Sequence, residues 1–205
     1  MSVTPNAEAL NVSRETFRKL EQFAALLEKW NPRINLVARS TLGDLWTRHI
    51  IDSLQVLENA PRPVSHWVDL GSGGGFPGLV AALCASDFGI EKVTLVESDQ
   101  RKCTFLRTVL RETGSNASVI AERIESIDPL DATVLSARAL AELETLLGFA
   151  ERHLAEGGVA LFPKGKNWRE EVQTARAVWD FRYDALPSKT DQQAVILKIE
   201  GLSRV

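Results

Sequence analysis

The chain has 205 residues, enough for one full domain with an appendage or for two small ones, and too few for a large multidomain enzyme. Its composition, 44% hydrophobic and 25% charged, is that of a soluble globular protein able to bury a core without disulfides or metals. A formal charge of −3 excludes a protein that holds polyanions through its overall charge and leaves only local basic patches for that task.

In chain order, residues 1–62 read as a helical segment. Phe17, Leu20, Phe23, Ala24, Leu27 and Trp30 recur at i, i+3, i+4 spacing, the apolar face of one helix. Proline at 32 disfavours helical geometry at the residue before it, so a stop is predicted at Asn31-Pro32, with a turn into Ile34-Asn35-Leu36. A second helix is predicted over about 42–57, with Leu45, Trp46, Ile50, Leu54 and Leu57 as its apolar face. Pro61-Arg62-Pro63 then marks a boundary.

From Val64 the texture changes. Short apolar runs at 64–70, 92–97, 117–121, 133–137 and 158–163 read as strands, and helical patterns at about 77–86, 99–113, 140–155 and 167–178 follow them in turn. This alternation implies right-handed crossovers and a mostly parallel sheet covered on both faces. Residues 180–186 and 193–199 flank a polar turn at 187–191, as an antiparallel hairpin would. The expected fold is α/β and Rossmann-like: a helical extension over 1–62, then a domain over 63–205 with a mostly parallel seven-stranded sheet ending in that hairpin.

Between the first predicted strand and its helix stands Val68-Asp69-Leu70-Gly71-Ser72-Gly73-Gly74-Gly75-Phe76-Pro77-Gly78. Glycines there allow a sharp turn and the close approach of a ligand beside a helix N-terminus. Two cofactor readings compete. Gly73, Gly75 and Gly78 satisfy the dinucleotide spacing, whereas Asp69, Gly71, Gly73 and Gly75 fit the loop that holds S-adenosylmethionine. Pro77 removes one of the N–H groups that a pyrophosphate would use. Asp69, at the strand end beside the ligand, would repel pyrophosphate and suit the ammonium and sulfonium groups of S-adenosylmethionine. Glu97, ending the second strand, is placed to accept from the ribose hydroxyls of either cofactor. Ile124 and Glu125, beyond the third strand, are placed to hold adenine. Ligands of open parallel sheets sit at the carboxyl ends of the strands, which makes Arg138 and Lys164, closing the fourth and fifth, further site candidates.

Cys84 and Cys103 have no CxxC spacing, and His49, His66 and His153 lie far apart, so no metal site is expected. The first six residues lack the basic and apolar regions of a secretory leader, and the longest apolar run, 79–85, falls far short of a bilayer span. A cytoplasmic protein is expected.

Seven motifs then carry a resemblance. They are Trp30-Asn31-x-x-Ile34-Asn35-Leu36, Arg48-His49-x-x-Asp52-Ser53-Leu54, the loop from Asp69 to Gly78, Arg101-Lys102-x-x-Phe105-Leu106, Arg123-Ile124-Glu125, Ser136-Ala137-Arg138-Ala139 and Lys164-Gly165. In this order, over about residues 17–166, the set resembles the RsmG (GidB) family of small-subunit ribosomal RNA guanine-N7 methyltransferases. The resemblance implies a class I methyltransferase fold and S-adenosylmethionine as methyl donor, with Gly71, Phe76, Ile124, Glu125 and Arg138 at cofactor-binding positions. It also implies transfer to N7 of one guanine in 16S ribosomal RNA near the decoding region. The pair Arg101-Lys102 stands where the family often has two lysines or the reverse order, and both charges survive.

Guanine N7 carries a lone pair and no proton, so such a reaction needs no general base and rests on positioning. Arg138 and Lys164 are the catalytic candidates, orienting guanine O6 or a neighbouring phosphate, while Phe76 or Phe162 could stack on a base. RNA contact is expected from Arg33, Arg48, Arg101, Lys102, Arg123, Lys164 and Lys166, with Trp168 a candidate for stacking. So modest a basic content implies weak binding to naked RNA and dependence on structure in a ribosomal particle. With the resemblance, the expected partner is 16S RNA within a 30S subunit or an assembly intermediate; a monomer that engages neither DNA nor membrane is expected. The residues themselves leave three other readings open: a methyltransferase for a small molecule or protein, a nicotinamide-dependent oxidoreductase, and a non-catalytic cofactor-binding protein.

Overall fold

A computed structural model of the chain describes residues 5–205. Helix α1 (Arg14–Ile34) begins where the Ser13 hydroxyl accepts the Thr16 amide at 3.1 Å and ends at Asn35 in the left-handed conformation. It runs through Asn31 and Pro32, past the predicted stop. Pro32 lies in the last turn, where it forfeits a single main-chain bond. Asn31 is clamped from the side, its Oδ1 accepting from the Val37 amide at 2.8 Å and its Nδ2 donating to the Val37 carbonyl at 3.1 Å.

The predicted helix over 42–57 is not one helix. A 3₁₀ turn over Arg39–Asp44 leads into a π-helical stretch over Trp46–Ile51, and only α2 (Asp52–Glu58) is regular. Leu45, Ile50, Leu54 and Leu57 are buried as their spacing implies. The wider π winding turns His49 and Ile50, neighbours in sequence, both inward. Such a local insertion is frequent at functional sites.

The sheet has seven strands in the order β3-β2-β1-β4-β5-β7-β6. Strands β1 (Trp67–Leu70), β2 (Val93–Val96), β3 (Ser118–Ile120), β4 (Ala132–Ala137) and β5 (Leu154–Lys164) are parallel. The hairpin of β6 (Trp179–Pro187) and β7 (Val195–Arg204) joins the β5 edge antiparallel. Helices α3 (Gly78–Leu83), α4 (Ala85–Phe88) and α5 (Gln100–Thr113) cover one face together with α1. Helices α6 (Leu143–His153) and α7 (Trp168–Ala175) cover the other.

The first strand is shorter than its apolar run because Val64 makes only an isolated bridge to Ile90. The helical segment shares the core of the first face: the Phe23 ring lies 5.1 Å from Phe76 and 6.2 Å from Phe105, and Trp30 lies 5.7 Å from Phe105. Among the described residues no helix is long and apolar enough to cross a membrane. The strand order reverses between β1 and β4, so a crevice opens at their carboxyl ends.

Candidate active site

That crevice holds a cavity of about 660 Å³, within the range of small-molecule sites. Its floor is the turn after β1, where Gly71 and Gly73 have positive φ (66° and 52°). A side chain at Gly74 would meet the Leu36 carbonyl oxygen at 2.9 Å, so the turn packs tightly against the segment after α1. Gly75 does not line the cavity. Its φ of 97° and the 2.7 Å from a would-be Cβ to Leu79 mark it as the residue that lets α3 start close behind the loop.

Glu97 lies opposite the turn. Its Oε2 accepts from the Gly73 amide and its Oε1 from the Asp99 amide, each at 2.8 Å. Every carboxylate oxygen has two acceptor sites, so Glu97 braces the loop and still presents acceptors to a ligand. Ile124 and Glu125 form the far wall beside Phe149 of α6, and the buried His153 ring approaches the Ile124 carbonyl at 3.3 Å. Phe76 lines the cavity with its ring held between Phe23, His49 at 5.0 Å and the Arg138 guanidinium at 5.2 Å.

Asp69 is not in the cavity wall. It is wholly buried beneath the loop, its Oδ1 accepting from the Ser136 hydroxyl at 2.6 Å while Oδ2 has no partner. The Trp67 indole N–H donates to the same Ser136 oxygen at 2.9 Å. Burial pushes the Asp69 carboxyl up to about 6, although the Ser136 hydrogen bond and the Arg138 charge pull it down. The proton is therefore held more tightly in the folded chain than in the unfolded one. The stability this lends is fully present below pH 4 and is lost as pH rises through 6, a span of about 3 kcal/mol. Asp69→Asn is expected to remove that decline, and denaturant unfolding at pH 4.5 and 7.5 checks it; equal pH slopes in both proteins would contradict the burial argument.

Arg138 follows β4 and stands between two cavities. Its Nη2 donates to His49 Nδ1 at 2.7 Å, and its Nη1 reaches Asp52 Oδ2 and the Arg48 carbonyl, both at 3.3 Å. Burial, then the charges of Arg138 and Arg48, hold the His49 ring down to about 4. The neutral ring accepts at Nδ1 and so donates from Nε2 to the Thr41 hydroxyl at 2.8 Å, which in turn donates to the Ala38 carbonyl at 2.8 Å. Ala139 next to it has a φ of 52°, a conformation costly for a residue with a Cβ and one concentrated at functional sites.

The second cavity, about 360 Å³, shares Arg138, Ala139 and Ala141 with the first. Lys164 lies in its wall, mostly buried, its ammonium donating to Glu171 Oε2 at 2.6 Å and to the Ala141 carbonyl at 2.9 Å. Asp52 and Gln55 of α2 and the hairpin turn at Ser188 and Ala194 complete the wall. Sequence reasoning missed His49, Asp52, Gln55 and Glu171. The i, i+3 spacing of His49 and Asp52 in one motif was the available signal.

Arg33, Arg48, Arg123 and Lys166 are exposed and make no salt bridge among the described residues, whereas Arg101 is bonded to Asp99 at 3.2 Å. Lys102 and Arg123 line the first cavity. Two expected stacking residues are not available for that role. Phe162 is fully buried among the α6 and α7 side chains, and Trp168 is 8% exposed with Arg169 over its ring at 4.3 Å.

A family model described as rRNA small subunit methyltransferase G matches residues 16–195. A ribosomal RNA small subunit methyltransferase G of Ruegeria pomeroyi is 60% identical, the match covering 99% of this chain and all of that protein. One of Paracoccus denitrificans is 50% identical over 94% of this chain and 98% of that protein. In fold, the chain is similar to TYW2 of M. jannaschii in complex with AdoMet, with a TM-score of 0.56, 10% identity and coverage of 85% of this chain and 80% of that one. It is also similar to an rRNA methylase of Streptococcus thermophilus, with a TM-score of 0.52, 16% identity and coverage of 76% and 98%.

Proposed function

The chain belongs to the rRNA small subunit methyltransferase G family, and on that premise we propose that it methylates N7 of one guanine in 16S ribosomal RNA, in a cytoplasmic 30S subunit or assembly intermediate. It is an S-adenosylmethionine-dependent methyltransferase of small-subunit ribosomal RNA with the class I fold. Residues 1–62 are, in this reading, a helical cap on a methyltransferase domain over 63–205. The observation that carries the choice of N7 is that neither polar group at this junction is a poised base: His49, lining the first cavity, is held neutral with both ring nitrogens bonded, and Arg138, lining both, is a cation. A nucleophile that already exposes its lone pair suits such a site.

The residues present fit the cofactor. The glycine turn leaves an open cradle, Glu97 offers acceptors for ribose hydroxyls, Phe76 offers an apolar face, and Ile124 and Glu125 close the far end. When bound, S-adenosylmethionine supplies an electrophilic methyl on a positively charged sulfur. Asp69 beneath the loop supplies the countercharge from the second layer. A cation above it favours its ionised form, so affinity for S-adenosylmethionine is expected to rise several-fold between pH 5 and 7, and Asp69→Asn to flatten that rise in equilibrium titrations. Arg138, fixed by Asp52 and His49, orients the acceptor beside the methyl. Arg33, Arg48, Lys102, Arg123 and Lys166 meet RNA phosphates around the openings, with Arg101 contributing once RNA competes for its bond to Asp99.

Transfer of labelled methyl to 30S particles and to deproteinised 16S RNA from cells lacking the enzyme tests the reading. Label in 7-methylguanosine at a single position is expected, stronger with particles. Label in another nucleotide, or only in protein, would refute N7 transfer to RNA.

A further inference from the structure

We propose that the second cavity receives the target guanine as a flipped-out base, and that Glu171 selects it by accepting hydrogen bonds from its N1–H and 2-amino edge. This rests on the RNA-methylation reading and goes beyond it by assigning a pocket and a specificity residue. Three observations lead there.

The first is charge. The wall carries two cations and two carboxylates, and each cation is already paired, Arg138 with Asp52 at 3.3 Å and Lys164 with Glu171 at 2.6 Å. A phosphate would find no free positive charge there. A neutral, hydrogen-bonding ring would meet a balanced site with apolar patches at Pro163, Val195 and Ile196 for its faces.

The second is the hydrogen-bond accounting. Both oxygens of Asp52 are in use: Oδ1 accepts from Gln55 at 2.6 Å and Thr190 at 2.7 Å, and Oδ2 from Arg138. The Gln55 amide is also engaged, its Nε2 by Asp52 and Ser188 and its Oε1 by the Lys189 amide at 2.9 Å. Glu171 differs. Its Oε2 accepts from Lys164 and from the Leu143 amide at 2.9 Å, while Oε1 takes no hydrogen bond from the described residues. Among the described residues Glu171 is thus the one carboxylate of this wall with an oxygen that takes no hydrogen bond, and it is held by two bonds to its other oxygen. Adenine, whose N1 is a lone pair, would be repelled; guanine, with donors at N1 and the 2-amino group, is matched.

The third is position. Ala139, Ala141 and Arg138 line both cavities, so a base lodged here lies against the wall shared with the first cavity. A concave pocket of this kind admits a base only when it leaves its stack. As the N7 lone pair forms the new N–CH₃ bond and the S–CH₃ bonding pair stays on sulfur, the purine becomes positive and its N1–H a stronger donor. The bond to Glu171 therefore strengthens in the transition state, which raises kcat.

The test uses small-subunit particles rebuilt with guanosine or inosine at the methylated position; inosine lacks only the 2-amino group. Wild-type enzyme is expected to favour guanosine about tenfold in single-turnover rate. Glu171→Gln is expected to lose about 100-fold on guanosine and to discriminate less than threefold, with S-adenosylmethionine binding within twofold of wild type. Equal rates of wild-type enzyme on guanosine and inosine would overturn the proposal whether or not the variant folds. So would a guanosine preference that survives in a Glu171→Gln protein that still binds S-adenosylmethionine. Absence of label from all RNA would overturn the methylation reading and this one together.

Discussion

Gly78→Ala is expected to lower the melting temperature by about 6–12 °C and to abolish tight cofactor binding. A Cβ at this position would lie 2.3 Å from the Asp69 Cβ, 2.5 Å from Oδ2 and 2.6 Å from Cγ. Those atoms cannot swing away. Asp69 is fully buried at the end of β1, in register with β2 and β4 on either side, and tied to Ser136. Helix α3 must back off from the sheet instead, and overpacking of this kind costs up to about 3 kcal/mol, which in a chain of this size corresponds to the stated shift. Because α3 begins directly after the glycine turn, its displacement also moves the amide of Gly73 off Glu97. Thermal unfolding and titration with S-adenosylmethionine check the result. Gly43→Ala, where the added carbon meets nothing within 4 Å, is the control and should shift the melting temperature by less than about 2 °C. A Gly78→Ala protein as stable as that control would show that the strand–helix contact is softer than the geometry implies.

Arg138→Ala is expected to reduce kcat/KM on 30S particles by at least about 100-fold, mostly through kcat, with S-adenosylmethionine affinity changed less than tenfold. The guanidinium ties the His49 ring and the Asp52 carboxylate, three residues apart, to the Phe76 face of the glycine turn. Its loss loosens the wall between the two cavities, and misplacement of reactants by about 1 Å costs on the order of 100-fold. Arg138→Lys keeps the charge and cannot span Asp52 and His49 at once, so it should recover less than tenfold of the lost rate. Full turnover by Arg138→Ala at saturating RNA and S-adenosylmethionine would remove Arg138 from the transition state.

How much of this was legible in the sequence depends on range. The strands and helices from 64 onward were readable because each is specified by its own periodicity and by glycine and proline punctuation. The glycine turn, Glu97, Ile124, Glu125 and Arg138 were readable because in a parallel sheet every strand ends on the same edge. Two local rules failed in the helical segment. Pro32 falls in the last turn of α1, where it costs little, and the π winding over Trp46–Ile51 appears in no propensity scale because packing of His49 and Ile50 imposes it.

The sequence by itself determined the fold class, the position of the glycine turn, the candidate catalytic arginine and, through its ordered motifs, the family. Only the tertiary structure decided that Asp69 lies under the loop rather than beside the ligand, that Phe162 and Trp168 are core residues, and that Lys164 is tied to Glu171. It alone built the second cavity, whose wall joins α2 to the hairpin turn through bonds from Gln55 to Ser188, Thr190 to Asp52 and Lys189 to Glu58. The physical reason is that secondary structure and motif spacing are set within a few residues of chain. A buried carboxylate, a paired charge or a wall between distant segments exists only once the sheet order has brought those segments together.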